Sequence, residues 1–187
     1  MSEALPGSVV PRASRTAEWV LLALAVASAF LLPRYYPTLN EMAIIALFAI
    51  SLDLILGYAG IVSLGHAAFF GLGVYVAALF AKHVHGDPFL GLIVAAIATA
   101  LLGLATAALI LRGTDLTRLM VTLGVALILL ELANKLDWLT GGADGLQGVV
   151  LRPVLGLFAF DMAGRVAYWY SLSVLAIMLW LARHLVA

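Results

Sequence analysis

Asp53 and His66 are the residues of this chain best suited to chemistry, because both are ionisable and both lie inside a long apolar tract. A carboxylate at membrane depth is a candidate for ion or substrate binding, and an imidazole can take or give a proton near neutral pH. Two readings of each stand at this point. Asp53 is either functional, or close enough to the tract's end or to a glycine break at Gly57–Gly60 to stay wet. His66 either bonds a substrate or pairs with Asp53 across the turn, or it ties two helices together through a backbone carbonyl. The other histidines do not make metal-ligand spacing with it: His83 and His85 fall in a polar turn and His184 near the last residue. No metal site is expected. Phosphate-binding loop, HExxH and GxSxG patterns are all absent, so no catalytic residues and no directly bound cofactor are expected. Any energy for active transport then comes from a partner or an ion gradient.

The elements that hold these residues are set by hydropathy. Of 187 residues 65% are hydrophobic and 11% charged, where soluble domains carry about 25% charged residues. Mean hydropathy is +1.13. The fold class is therefore all-α, a polytopic transmembrane helix bundle. About 20 residues cross a bilayer, which leaves room for about six membrane helices. Ten Lys+Arg balance ten Asp+Glu, and no basic run suggests nucleic acid. With no cysteine there is neither a disulfide nor a thiolate site.

Residues 1–17 read as a flexible polar tail and 18–187 as one transmembrane domain. The apolar runs are Trp19–Leu32, Met42–Leu56, Ile61–Ala81, Phe89–Leu111, Leu119–Ala133 and Val166–Leu181. Tyr35 and Tyr36 look like an interfacial belt. The forty apolar residues from Met42 to Ala81 are too many for one crossing, so a hairpin broken by glycine at 57–60 is expected. Its first helix spans only about 24 Å. Lys82–Pro88 and 112–118 are short polar links. Residues 134–165, with several glycines and Pro153, form the longest hydrophilic segment, and a loop of that length usually has a job or its own substructure. With the N-terminus in the cytoplasm, basic residues divide five against five between the two sides. Discounting Arg152 and Arg165 of the long loop favours cytoplasmic termini.

Small residues mark close approach. Gly60, Ser63, Ala67, Gly71 and Tyr75 fall three or four apart, as one face of a helix, and that face either packs on a neighbour or lines a pathway. Gly91, Ala95, Thr99 and Gly103 recur every fourth position, a helix-packing stripe. Glu131 and Lys135 are spaced for an i,i+4 pair, and Thr122 for a bond back to its own helix.

Three motifs carry a resemblance. Gly57-Tyr58-Ala59-Gly60 followed by Ser63-Leu64-Gly65-His66-Ala67-Ala68-Phe69-Phe70-Gly71 and Gly73-Val74-Tyr75 is the first, Val121-Thr122-Leu123 the second, and Thr140-Gly141-Gly142-Ala143-Asp144-Gly145-Leu146 the third. In this order they resemble the LivM-type permeases of branched-chain amino acid ABC importers over most of residues 41–182. The resemblance implies a non-enzymatic permease subunit of a bacterial inner membrane, forming part of the path for branched-chain amino acids, or for urea, amides or other amino acids. It implies a second permease subunit as heterodimer partner and two cytoplasmic ATPase subunits, which hold the ATP. A periplasmic substrate-binding protein would deliver the cargo and lipid would surround the bundle. Thr114-Asp115-Leu116-Thr117-Arg118 is more charged than the family's pattern there, and the family continues beyond position 187, so these residues are expected to be the N-terminal portion of a permease. The alternatives are a gradient-driven carrier or channel using Asp53 and His66, and a non-transporting assembly or regulatory membrane protein.

Overall fold

The computed structural model describes residues 15–60, 63–111, 114–154 and 156–186. The expected tail up to position 14 lies outside them, as do Ile61, Val62 and Arg112. The long helices are α1 (Arg15–Leu31), α2 (Tyr36–Ala59), α3 (His66–His83), α4 (Pro88–Leu111) and α5 (Asp115–Lys135). A single turn, α6 (Asp137–Thr140), and α7 (Arg165–Val186) complete the set. Between α6 and α7 the chain makes a 3-10 turn at Gly142–Asp144 and an isolated bridge between Val154 and Phe158. Among the described residues four helices are long and apolar enough to cross a membrane, with spans at Pro33–Gly57, Pro88–Ala108, Leu116–Lys135 and Arg165–His184. Helix α1 contributes a shorter apolar run, Trp19–Leu31.

The helices fall into two groups, α1 with α2 and α7, and α3 with α4 and α5. Helices α2 and α7 run parallel: Ser171 donates to Asn40 Oδ1 at 2.6 Å, and the rings of Tyr36 and Tyr168 lie 6.0 Å apart. The buried core sits in this first group, on Ala29, Tyr36, Ala43, Tyr168, Leu172 and Leu175. Its hydroxyls are satisfied by α1, since Tyr36 donates to Ala29 O at 2.9 Å and Tyr168 to Ala25 O at 2.7 Å. Buried polar groups need such partners, most of all where no water can replace them. The groups meet where Phe48 of α2 packs edge-on to Phe70 of α3, and where Tyr170 of α7 donates to Pro88 O at the start of α4.

The long helices alternate in direction, which places the turn at 84–87 and the segment 136–164 at one end of the bundle. They touch there: Arg152 N–H donates to Gly86 O at 2.8 Å and Lys82 Nζ to Gln147 O at 3.0 Å. Asp87 caps α4, its carboxylate accepting from Phe89 N–H at 2.8 Å with Pro88 in the first turn.

Several boundaries differ from the sequence reading. The expected short helix Met42–Leu56 is 24 residues long, because a proline is compatible with the first turn and α2 starts at Tyr36. Tyr36 is accordingly a core residue, not part of an interfacial belt. Helix α3 starts at His66 rather than Ile61. The charged stretch Thr114–Arg118 is the first turn of α5.

Candidate functional site

Helix α2 ends on Gly60, whose φ of +59° is left-handed and whose N–H bonds back to Ile55 O. An L side chain would be strained there although the surrounding space is open. Gly57, one turn earlier, is still helical. The chain then doubles back, so that α3 starts deep within the bundle. His66 reaches Ser51, eight residues or roughly 12 Å before the end of α2. Gly65 reaches Thr122, seven residues or roughly 10 Å into α5. At Gly65 an added Cβ would run into the Thr122 carbonyl group, and would lie 3.2 Å from Thr122 Cβ. Its φ of −93° is open to any residue, so glycine is needed for closeness alone. Thr122 itself is buried and bonds back to Leu119 O at 3.1 Å.

His66 Nε2 lies 2.7 Å from Ser51 Oγ, and that hydroxyl is 2.8 Å from Phe48 O. With the hydroxyl proton given to the carbonyl, Nε2–H donates to the serine oxygen. The imidazole also packs on Phe48, centroids 5.1 Å apart. His66 therefore ties two helices together, through a side-chain hydroxyl rather than a backbone carbonyl. Asp53 is two residues beyond Ser51, about 200° around the helix, and faces the other way. It is exposed and lines a groove between α1, α2 and α7. Among the described residues no hydrogen bond joins Asp53 to His66.

The expected stripe Gly60, Ser63, Ala67, Gly71, Tyr75 is not one helix face, because Gly60 and Ser63 precede α3. Ala67 is exposed, Tyr75 is half-buried, and nothing lies within 4 Å of a Cβ at Gly71. On α4, a Cβ built on Gly91 would lie 3.7 Å from Ala77 O, Ala95 is buried, and Thr99 Oγ1 is 3.4 Å from a Cβ built on Gly73. These three lie along the face that meets α3, whereas Gly103 has open space.

Thr140, Gly141, Gly142 and Gly145 fold over the end of α5. Thr140 is buried, with Oγ1 2.5 Å from Ala133 O and 2.9 Å from Leu136 O. Gly141 and Gly142 both have positive φ, and a Cβ on Gly142 would lie 2.7 Å from Asp137 Oδ1. Gly145 N–H closes the turn on Gly142 O at 3.2 Å. The exposed Glu131 and Lys135 pair at 3.2 Å just before it.

The groove went unread in the sequence. It encloses about 850 Å³, with aliphatic walls from all three helices and polar groups only at Ser28, Asp53, Tyr168 and Arg183. Tyr168 is 2% exposed and shares Ala25 O with Ser28, whose hydroxyl is 2.7 Å from that oxygen. These partners are 143 residues apart, so no local pattern points to them. The groove has room for an apolar guest and no group placed for covalent chemistry.

Residues 35–186 match the family described as the branched-chain amino acid transport system permease component. The chain is 31% identical over 159 residues to the high-affinity branched-chain amino acid transport system permease protein LivM of Salmonella typhimurium. It is 32% identical over 160 residues to the protein of the same name from Escherichia coli. Each alignment covers 82% of this chain and 36% of the relative, so the chain spans about a third of the length of the curated relatives it matches. No solved structure matches it significantly.

Proposed function

Because this chain belongs to the branched-chain amino acid transport permease family, we propose that it forms part of the translocation path of an ATP-driven importer for branched-chain amino acids or related small polar solutes. The carrying observation is the match over residues 35–186, which takes in every helix from α2 to α7. The geometry supports the same reading. The α2–α3 break and the glycine contact with α5 put the buried, non-helical Gly65 against a neighbouring helix, and irregular backbone is tolerated at depth where protein or a cavity surrounds it. In a transporter such junctions let packed helices change arrangement without exposing backbone to lipid.

The protein performs no covalent step in this reading. ATP is hydrolysed on two cytoplasmic ATPase subunits, a second permease completes the path, and a periplasmic binding protein selects the cargo. The membrane is the bacterial inner membrane, with the N-terminus in the cytoplasm. The end of the bundle carrying residues 136–164 then faces the binding protein. A proton relay through Asp53 and His66 has less support, since the two side chains leave α2 on different faces.

Co-purification tests the assembly. A tagged chain, expressed with the second permease and the ATPase, should retain both in mild detergent and stimulate ATP hydrolysis when binding protein and leucine are added. A chain that recruits neither subunit at matched expression would overturn the proposal.

A further inference from the structure

The two helix groups are packed within themselves and barely joined to each other. Among the described residues the broad helix contacts are α2 with α7 and α3 with α4, and α5 adds contacts to α3 and α4. No helix of the α1–α2–α7 group makes an extended contact with a helix of the α3–α4–α5 group. Two small sets of side chains bridge them, at different depths. At the end that carries residues 136–164, the Tyr170 hydroxyl donates to Pro88 O at 3.0 Å, from one turn into α7 to the first residue of α4. The second set lies fifteen residues or roughly 22 Å into α2. There Ser51 Oγ is 2.7 Å from His66 Nε2, and Phe48 meets the imidazole at 5.1 Å and the Phe70 ring at 5.5 Å. Farther along α2, Gly57 has nothing within 4 Å of where its Cβ would stand.

We infer that the two groups move as two bodies, pivoting at the Tyr170–Pro88 contact and held together by a latch of Phe48, Ser51, His66 and Phe70. Closely packed side chains keep a body's shape, and motion concentrates where few contacts cross. The latch can part with little lost. Ser51 donates to Phe48 O of its own helix at 2.8 Å and keeps that bond when the groups separate. Only the half-buried imidazole gives up a partner. The ring contacts are an edge-on pair at 74° and a tilted pair at 45°, each a single pair of rings rather than interlocked rows of side chains. Gly65, seated against the Thr122 backbone, holds the start of α3 on the α5 side. The latch therefore parts between α2 and α3, and the opening lies at the end opposite residues 136–164. The motion belongs to the chain itself and does not rest on the import reading, since it needs neither ATP nor a partner subunit.

The test is double electron–electron resonance on the full chain in lipid nanodiscs. The chain has no cysteine, so spin labels can be placed in chosen pairs, and Met42, Leu56, Leu90, Leu104, Met120 and Ile177 are all exposed sites for them. Leu56→Cys with Leu104→Cys spans the groups at the far end, and Met42→Cys with Leu90→Cys spans them at the pivot end. Leu56→Cys with Ile177→Cys and Leu104→Cys with Met120→Cys each stay within one group. The far-end pair should give a broader distance distribution than either within-group pair, with the pivot-end pair as narrow as those two. Ser51→Ala removes one hydrogen bond from the latch, so it should raise the ratio of long to short far-end distances about fivefold to tenfold and leave the other three pairs unchanged. Phe48→Ala removes the aromatic contacts and should shift the far-end pair the same way, which decides the matter if Ser51→Ala fails to fold. A far-end distribution as narrow as the within-group ones, in the parent and in the latch variants alike, would overturn the inference. So would equal broadening of all four pairs, which reports general loosening, or a pivot-end pair as broad as the far-end one.

Discussion

Gly65→Ala is the sharpest perturbation of the α2–α3 junction. The substitution leaves the backbone unstrained, because φ −93° and ψ 0° are accessible to alanine. Its whole effect is steric. The new methyl group would run into the Thr122 carbonyl group of α5, and backbone cannot rotate away as a side-chain tip can. Overpacking in a core costs about 1–3 kcal/mol, and a backbone obstacle puts this case at about 2–3 kcal/mol. For a chain of this size that is a fall in Tm of about 4–12 °C. Thr122→Ser would not rescue it, since the carbonyl remains. Gly71→Ala is the control. Its position is helical with nothing within 4 Å, so alanine should raise stability by up to about 1 kcal/mol through helix propensity. Thermal unfolding in detergent, followed by circular dichroism, reads both. A Gly65→Ala protein as stable as the parent, or a Gly71→Ala protein less stable than Gly65→Ala, would refute the argument that α3 is seated on α5 at Gly65.

Ser51→Ala should destabilise by about 1–2 kcal/mol, because it strands the half-buried His66 imidazole, while Asp53→Asn should leave Tm nearly unchanged; the same melts compare them. Tyr168→Phe removes the hydroxyl that joins α7 to Ala25 O and should cost about 1 kcal/mol, visible as faster amide hydrogen exchange in α7. Gly142→Ala meets both a positive φ and the Asp137 carboxylate, and should cost more than 1 kcal/mol; limited proteolysis would then cut within 141–145 in the variant and not in the parent.

Much of this arrangement is written locally, and the rest is not. The stop at Gly60 is readable because a left-handed cap favours glycine. The α4 face at Gly91, Ala95 and Thr99 is readable because close packing repeats every fourth residue. The start of α3 is not, because residues 61–64 are as apolar as helix; what sets His66 as its first residue is contact with Ser51 and Thr122, far away in sequence. Tyr36 misleads for a related reason. A tyrosine beside Pro37 looks interfacial, but its ring is buried on Tyr168 and its hydroxyl on Ala29 O. Asp53 and His66 are the clearest case of spacing against direction: thirteen positions apart and close in space, they are separated by the 200° that two residues of helix impose. The Thr140–Gly145 motif is visible as glycines, but its role as a clasp on α5 needs the Ala133 and Leu136 carbonyls that Thr140 finds.

Uptake tests the proposed import function most directly. In proteoliposomes holding this chain with its second permease, the ATPase subunits and the binding protein, labelled leucine, isoleucine or valine should accumulate only when ATP is supplied. Leaving this chain out should abolish the accumulation. Accumulation driven by an ion gradient without ATP, or undiminished when the chain is omitted, would contradict it.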